Sequence, residues 1–314
     1  YLKMKTVFMF PGQGSQSIGM MSALLSESDI AKHVFSEASD AIDQDLIKIA
    51  AEGPESLINQ TAITQPIVLT ASIAMWEVWR QHTAFMPDYL CGHSLGEYTA
   101  LVASGVMTLK DAVHLVHVRG RLMQTAVPEG ESGMAALLGL SDELVAEACL
   151  EAAQGEVVAP ANFNSPGQVV ISGASSALER ALILAKDKGA KRATKLPVSV
   201  PCHCDLLKSA GDALAQEMNK IDFQYPLLPI MQNVNAELTQ DLESLKANLL
   251  SHLYSPVLWS QSIIELIKHD AGRFIECGPG KVLSGLNKRI DKRVNSFAMS
   301  DLASMNSVIE ALKV

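Results

Sequence analysis

The 314-residue sequence has few basic residues, few aromatic residues and no long apolar run. It has 25 lysines and arginines but 34 aspartates and glutamates. The resulting net charge of −9 argues against a nucleic-acid-binding surface. A helix needs about 18 consecutive apolar residues to cross a bilayer, and because no such run occurs, no transmembrane helix is expected. The N-terminus also lacks a charged-then-apolar leader, so the sequence predicts a cytoplasmic protein without membrane or nucleic-acid partners.

Cysteine is also scarce, with five residues scattered along the chain. An odd, scattered set is typical of free thiols in a reducing compartment rather than of a disulfide framework. The densest group is Cys202-His203-Cys204. Three adjacent side chains cannot easily turn toward one ion, and no second Cys/His cluster occurs, so the sequence predicts no metal site.

The chain is longer than a usual single-core domain, and 48% hydrophobic residues indicate a globular α/β protein. After a polar break at 128–133, the pattern becomes strand, helix, two strands, helix and strand, the order of a ferredoxin-like unit. The expected segments are 134–140, 141–153, 157–162, 168–172, 177–188 and 193–198. We therefore predict a large domain in two parts, 1–127 and 199–314, interrupted by a small inserted domain at 128–198.

The segment Cys91–Glu97 contains Gly-x-Ser-x-Gly, the pattern of a nucleophile elbow, in which a serine lies on a sharp turn between a strand and a helix. Gly92 and Gly96 leave room for close backbone approach, so that Ser94 can adopt a strained conformation. The N-terminus of the following helix would place free N–H groups where an oxyanion develops. The pattern is short, and an ordinary serine in a tight turn is the alternative.

A glycine-rich turn, Pro11–Ser17, follows the first apolar run of the chain. It lacks both phosphate-binding patterns. A dinucleotide fingerprint needs a third glycine where Ser17 stands, and a P-loop would continue with Lys-Ser/Thr where Met20 and Met21 stand. Backbone N–H groups of this turn could instead supply a second oxyanion donor if the turn lies beside Ser94.

A long core helix is predicted from Thr64 to about Gln81. Thr64 is a favourable N-cap residue and Pro66 suits the first helical turn, after which apolar residues recur at helical spacing. This interpretation assigns the helix to the core and gives it no functional side chain.

The predicted helix 108–126 carries an arginine on its apolar face. Arg119 is spaced three residues from Val116 and four from Met123, so the three side chains share one face. A buried guanidinium is costly unless it meets an anion. That anion is either an internal aspartate or glutamate, or a bound carboxylate held by two hydrogen bonds.

His203 is the candidate base for Ser94. It lies between a predicted strand and a helix at the domain junction, and it follows the serine in the chain, as in other elbow enzymes. His93 is the rival, but adjacent residues on a sharp elbow point in different directions. No clear acid for a triad occurs between the serine and His203, so a backbone carbonyl could orient the imidazole instead.

Several separate segments fit one protein family. They are Phe10–Gln16, Gly92–Glu97, Arg119–Gln124, Asn162–Gln168, Val198–His203 and Glu276–Lys281. Together they resemble the malonyl-CoA:acyl carrier protein transacylases of bacterial fatty acid synthesis, which are related to the acyltransferase domains of polyketide synthases. The resemblance extends from about Thr6 to the C-terminus. It implies an α/β-hydrolase-like large domain with a ferredoxin-like insert.

The resemblance also implies an activity. A malonyl group would pass from malonyl-CoA to a serine and then to the phosphopantetheine thiol of acyl carrier protein, with no cofactor or metal. The implied roles are Ser94 as nucleophile, His203 as base, the backbone N–H groups of Gln13 and Leu95 as oxyanion hole, Arg119 as the group holding the malonyl carboxylate, and Asn162 as a cleft residue.

Two positions depart from the family pattern. His252 stands where the family often has glutamine. The family uses the main-chain carbonyl of that residue to orient the catalytic histidine, so the role can persist. Cys202 replaces the serine that usually precedes this histidine, and the two side chains are similar in size.

Two other functions stay open at this point. A serine hydrolase such as a thioesterase is one, and a non-catalytic carrier-binding module is the other. Acyl carrier proteins are acidic and this chain is acidic too, so docking would need a local basic patch. The candidate residues are Lys188, Lys191, Arg192, Lys195, Lys288 and Arg289.

Overall fold

The computed structural model describes residues 4–314, which form two β-sheets with helices packed around them. The strands are β1 (Lys5–Phe10), β2 (Tyr89–Gly92), β3 (Ser132–Leu138), β4 (Val158–Ser165), β5 (Gln168–Ala174), β6 (Arg192–Lys195), β7 (Ile230–Met231), β8 (Ala271–Cys277) and β9 (Asn295–Met299). The mixed α/β class, with one parallel and one separate antiparallel sheet, is confirmed.

The helices connect and cover these strands. They are α1 (Ser22–Glu27), α2 (Asp29–Ile42), α3 (Leu46–Glu52), α4 (Glu55–Ile58), α5 (Thr61–His82), α6 (Leu95–Ala103), α7 (Leu109–Thr125), α8 (Asp142–Ala153), α9 (Ser175–Asp187), α10 (Gly211–Met218), α11 (Leu242–Ser251), α12 (Trp259–Lys268), α13 (Val282–Ile290) and α14 (Leu302–Leu312), with a 3₁₀ helix at Asp205–Ala210. Within residues 4–314, none of the helices combines the length and apolarity needed to cross a membrane.

The parallel sheet has the strand order β7-β2-β1-β8-β9. The central strand β1 pairs in parallel with β2 on one side and β8 on the other, and its residues from Val7 to Phe10 are completely buried. A continuous apolar run is what a strand covered on both faces requires. The ring edges of Trp76 and Trp79 on α5 meet Phe8 at centroid distances of 5.6 and 5.2 Å, which packs this helix onto the sheet.

Helix α5 begins three residues before the predicted start, so the prediction of Thr64 as its N-cap was wrong. The N-cap is Gln60, and Pro66 lies inside the helix. Proline cannot donate the hydrogen bond that Ala62 O would receive in a regular helix. His117 Nδ1–H of α7 donates to Ala62 O at 2.8 Å instead. The neighbouring helix therefore supplies the missing donor, which sequence pattern alone does not reveal.

The antiparallel sheet has the strand order β4-β5-β3-β6 and carries α8 and α9. Its elements follow the predicted order of strand, helix, two strands, helix and strand, with β3 starting at Ser132 and β6 ending at Lys195. Alternate residues face opposite sides of the sheet. Leu137 belongs to the core beneath the helices, whereas Met134 and Val170 line a cleft on the other face.

Candidate active site

A cleft of about 250 Å³ opens where the carboxyl ends of β1 and β2 approach the antiparallel sheet. Parallel sheets commonly bind ligands at this edge, because the loops that leave the strands converge there. The lining includes the glycine-rich turn after β1, Ser94 after β2, Arg119 of α7, Asn162 of β4 and His203. The cleft thus gathers predicted site residues that are far apart in the sequence.

The turn between β2 and α6 has the geometry of a nucleophile elbow. Ser94 has φ 51° and ψ −110°, a strained conformation that persists only when its surroundings enforce it. A Cβ at Gly92 would lie 1.9 Å from the backbone of Gly96, and a Cβ at Gly96 would lie 2.0 Å from Phe10 O. Only glycine fits at both positions, and the resulting close packing presents Ser94 to the cleft.

Ser94 and His203 form a hydrogen-bonded pair. The serine hydroxyl donates to His203 Nε2 at 2.7 Å, and His203 Nδ1–H donates to the main-chain carbonyl of His252 at 2.8 Å. Because a carbonyl oxygen can only accept, the proton of the imidazole lies on Nδ1 and Nε2 is free to receive the serine proton. The group that orients the imidazole is therefore a main-chain carbonyl rather than a carboxylate.

His203 is kept neutral by its surroundings. Its side chain is buried, and burial, followed by the positive charge of Arg119, lowers the pKa of His203 to about 3. The hydrogen bond to His252 acts in the opposite direction but is the weaker influence. An uncharged imidazole is the form that can take a proton from a hydroxyl, so near neutral pH His203 is able to accept the proton of Ser94.

His93 occupies a different position in the elbow. Its Nε2–H donates to Asn164 Oδ1 at 2.7 Å, and its ring lies 5.4 Å from that of Trp259. Asn164 belongs to β4, so this contact ties the elbow to the antiparallel sheet. The histidine that reaches the hydroxyl of Ser94 is His203, not His93.

Two backbone N–H groups at the cleft, those of Gln13 and Leu95, have no acceptor within residues 4–314. Leu95 is the first residue of α6, whose N-terminus carries a partial positive charge. Gln13 is anchored by its own side chain, whose Nε2 donates to Thr61 Oγ1 at 3.2 Å. The turn approaches the elbow so closely that a Cβ at Gly12 would lie 2.4 Å from His93 O. Both N–H groups are available to a developing oxyanion.

Arg119 is buried at the cleft without an acidic partner in the part of the chain that the structure describes. It is 1% exposed, its Nη1–H donates to Gln65 Oε1 at 2.7 Å, and its guanidinium lies 5.2 Å from the centre of the Tyr98 ring. Nε and Nη2 have no hydrogen-bond partner among residues 4–314. Of the two sequence alternatives, the internal ion pair is absent there, and two N–H groups are free for an anionic ligand.

The remaining predicted residues also line the cleft. Asn162 of β4 is almost fully buried and its backbone bridges to Val257. Cys202 is buried beside His203, and burial raises the pKa of its thiol to about 12. All five cysteines are free. Within residues 4–314, no three side chains of His, Cys, Asp or Glu converge in a way that could hold a metal ion.

Three polar residues near the site were missed by sequence reasoning. Gln65 lies in α5, which was interpreted as packing only, yet it holds Arg119. Asn233 follows the two-residue strand β7, and its Oδ1 accepts the Ser94 N–H at 2.8 Å. Glu97 is buried and accepts the Asn233 N–H at 2.8 Å. The available signal was a Gln-Asn pair directly after a short buried strand, at the edge where the loops converge.

The fold and site define a class of protein. A serine on a strained elbow, hydrogen-bonded to a neutral histidine and flanked by free N–H groups, is the arrangement of enzymes that transfer acyl groups. In agreement, residues 7–304 match the acyl transferase domain family. The chain is 47% identical over 302 residues to the malonyl CoA-acyl carrier protein transacylase of Salmonella typhimurium, covering 96% of this chain and 98% of that protein. The chain belongs to this transacylase family, which confirms the resemblance.

Solved structures agree over the same length. A crystal structure of an acyl carrier protein S-malonyltransferase from Vibrio cholerae has a TM-score of 0.95 and 48% identity, covering 97% of this chain and 99% of that chain. A malonyl-transacylase in complex with a type II polyketide synthase acyl-carrier protein has a TM-score of 0.96 and 45% identity, covering 98% and 99%. Family and overall fold are therefore shared along nearly the whole chain.

Proposed function

We propose that this protein transfers the malonyl group of malonyl-CoA to the phosphopantetheine thiol of acyl carrier protein, through an ester on Ser94, and so supplies extender units for fatty acid synthesis. The observation that carries the proposal is Arg119, a buried cation with two unpartnered N–H groups in the same cleft as the serine. A malonyl group has a free carboxylate to match it. An enzyme acting on uncharged acyl groups has no use for such a residue.

Acylation follows from the geometry of the pair. His203 Nε2 accepts the hydroxyl proton as Ser94 Oγ attacks the thioester carbon, and the new oxyanion receives the N–H groups of Gln13 and Leu95. When the intermediate collapses, the carbon–sulfur bond breaks and the CoA thiol leaves with the proton from His203. Arg119 holds the malonyl carboxylate throughout, which fixes the thioester against the serine.

The second half-reaction reverses the first with another thiol. The phosphopantetheine thiol gives its proton to His203 Nε2 and attacks the ester, and Ser94 Oγ then recovers the proton. Water competes for the same ester. Apolar side chains such as Met134, Val170 and Leu286 line the cleft and reduce its room for ordered water.

We assign the parallel sheet and its helices to an α/β-hydrolase-like domain, supported by the strand–elbow–helix unit around Ser94. We assign 128–198 to a ferredoxin-like insert, supported by its element order and by the antiparallel pairing of all its strands. The large domain then comprises 1–127 and 199–314. We place the protein in the cytoplasm, where fatty acid synthesis would require it.

The basic patch proposed for the carrier protein is smaller than its sequence suggests. Lys188 pairs with Glu147 and Glu151, and Lys195 lies 3.3 Å from Glu179. Their charges are partly compensated within the small sheet and its helices. The other four of the six candidate residues are exposed, and they are Lys191, Arg192, Lys288 and Arg289. Arg289 donates to Gln168 Oε1 at 2.6 Å, so this helix lies against the small sheet near the cleft.

Intact-protein mass spectrometry tests the proposed function. After incubation with malonyl-CoA, the wild type should carry one malonyl group, and acetyl-CoA should label it far less. Addition of acyl carrier protein bearing phosphopantetheine should then discharge the ester faster than buffer alone. Equal discharge by water would favour a serine hydrolase, and no adduct at all would favour a non-catalytic carrier-binding module.

A further inference from the structure

The backbone of the serine elbow is held on both sides by a side chain outside the cleft, that of Asn233. Its Oδ1 accepts the N–H of Ser94 at 2.8 Å, and its Nδ2–H donates to the carbonyl of Gly92 at 2.7 Å. Asn233 is completely buried. Because one partner can only donate and the other can only accept, the orientation of the amide is determined. The side-chain amide of Asn233 thus holds the strained turn at Gly92, where the turn begins, and at Ser94, its central residue.

Asn233 is itself fixed from the other side of the elbow. Its backbone N–H donates to Glu97 Oε2 at 2.8 Å, and Glu97 Oε1 receives Gln232 Nε2–H at 3.2 Å. Asn248 Nδ2–H in turn donates to Gln232 Oε1 at 3.0 Å. The network therefore connects α6, the segment directly after β7, and α11. Such a buried, satisfied network restricts movement of the groups it holds.

The same amide contacts the residue that orients the base. His252 Nε2 lies 3.1 Å from Asn233 Oδ1, and since that oxygen only accepts, Nε2 must carry the proton. His252 is fully buried, and its other ring nitrogen, Nδ1, is an acceptor that receives no hydrogen bond from residues 4–314. Its main-chain carbonyl receives the Nδ1–H of His203. Asn233 therefore contacts both the backbone of Ser94 and the side chain of His252, the residue whose carbonyl orients His203.

We propose that Asn233 is a positioning residue that holds the strained backbone of Ser94 and, through His252, keeps the serine hydroxyl in line with His203. It does not touch the substrate. Displacement of a reacting group by about 1 Å costs about 10²-fold in rate, so loss of the amide should slow acylation by about that factor. The affinity for malonyl-CoA should be unchanged, because Arg119 lies outside this network. The inference rests on the proposed function.

Asn233→Asp provides the sharpest test, since the side chain keeps its size and its acceptor for Ser94 N–H. An ionised carboxylate cannot donate to the carbonyl of Gly92, but a protonated one can. Asn233 contacts Glu97 and His252, and the charged or titratable groups that act on these two are Arg119, His203 and His93. Burial raises the pKa of the new acid, as it does for the neighbouring Glu97, against the opposing positive charge of Arg119. We expect the ratio of the Asn233→Asp acylation rate to the wild-type rate to be about 10²-fold low at pH 8 and to recover as the pH falls toward 6. The ratio cancels the protonation of Glu97, whose pKa is raised to about 7 and which both proteins share.

The controls separate positioning from structural support. Asn235→Asp makes the same change two residues away, at a side chain that contacts Glu237 and not the elbow, and should leave the rate unchanged. His252→Leu removes the donor to Asn233 Oδ1 and should lose about tenfold, and His252→Gln, which supplies an amide donor there, should lose less than His252→Leu. Rates come from rapid-quench acyl-enzyme formation, with melting temperatures measured alongside.

The acylation rate, its pH dependence and KM together separate the possible outcomes. A pH-dependent rate loss at unchanged KM supports the inference. A folded Asn233→Asp protein with wild-type rates at every pH overturns it, and so does a uniform loss that also raises KM, because that result indicates a purely structural role. If the wild type itself forms no acyl-enzyme, the proposed function fails instead, and the two failures are distinguishable.

Discussion

Replacement of Arg119 by alanine distinguishes the two uses of a buried cation. The structure leaves Nε and Nη2 of Arg119 without partners, so a malonyl carboxylate would gain two charge-assisted hydrogen bonds there. Truncation of one member of such a buried pair costs about 2–4 kcal/mol, which is about 30- to 700-fold in kcat/KM for malonyl-CoA. Acetyl-CoA has no carboxylate and should lose nothing. Selectivity for malonyl over acetyl should therefore collapse.

The effect on stability should be small. Removal of an arginine from an internal ion pair would leave an unpaired buried acid and cost about 3–5 kcal/mol. Here the substitution breaks the hydrogen bond to Gln65 and the contact with the Tyr98 ring, together worth about 2–4 kcal/mol. It also removes a desolvated cation with two unsatisfied N–H groups, whose burial costs several kcal/mol. Because these contributions oppose each other, the melting temperature should move little.

The assay compares acyl-enzyme formation from malonyl-CoA and acetyl-CoA in the wild type and in Arg119→Ala, with thermal unfolding of both proteins. Arg121→Ala is the matched control, since Arg121 lies on the same helix but is exposed to solvent. It should change neither selectivity nor stability. An unchanged preference for malonyl in a folded Arg119→Ala protein would refute the role of Arg119, and a large loss of stability would refute the reasoning about its burial.

Three further predictions concern the nucleophile, the base and the carrier. Ser94→Ala should form no acyl-enzyme and lose at least about 10³-fold in transfer; a malonylated mass on this variant would contradict the assignment. The pKa of His203 is lowered to about 3, so its contribution to stability is complete above pH 6.5 and falls by about 1.4 kcal/mol per pH unit below it. The free energy of unfolding in urea, measured for the wild type and for His203→Gln, should differ by an amount that follows this slope. The difference cancels the contribution of Glu97, whose pKa is raised to about 7 and whose effect on stability has the opposite sign. A difference that does not depend on pH would contradict the prediction. Charge reversal at Arg192 and Lys288 should raise KM for acyl carrier protein about two- to fivefold each without altering acylation by malonyl-CoA, and an equal loss in both half-reactions would count against docking there.

Much of the fold was predictable because local patterns and the tertiary structure agree. The apolar run at 5–10 is a central strand, and the alternation of elements at 134–198 produces the antiparallel sheet with its two helices. The start of α5 was not predictable in the same way. Thr64 and Pro66 suit a helix start, but His117 of another helix satisfies the carbonyl that Pro66 leaves free, and the helix extends further back. Tertiary contacts outweighed local preference at this point.

The residues of the candidate site also fall into two groups, those that the sequence predicts and those that it does not. Ser94, His203 and Arg119, which the structure brings to one cleft, were predicted because each violates an expectation for ordinary residues, as a serine between glycines, a histidine at a junction or an arginine on an apolar face. Gln65 and Asn233 violate none. Their roles arise from hydrogen bonds to groups 54 and 139 residues away in sequence, and no local pattern encodes such partners.

His252 shows why a departure from a family pattern can leave a mechanism intact. The proposed base, His203, is oriented by the carbonyl oxygen of this residue, and every amino acid supplies that atom in the same place if the backbone is unchanged. The side chain has a separate task, which is to donate to Asn233 Oδ1, and the amide of a glutamine can make the same donation as the Nε2–H of histidine. The second imidazole near His203 therefore needs no role in proton transfer. Burial and the neighbouring charges lower its pKa well below the ordinary value, so it adds no charge beside the base. The exchange of one residue type for another at position 252 is thus limited by hydrogen-bond donation and by neutrality, not by acid–base chemistry.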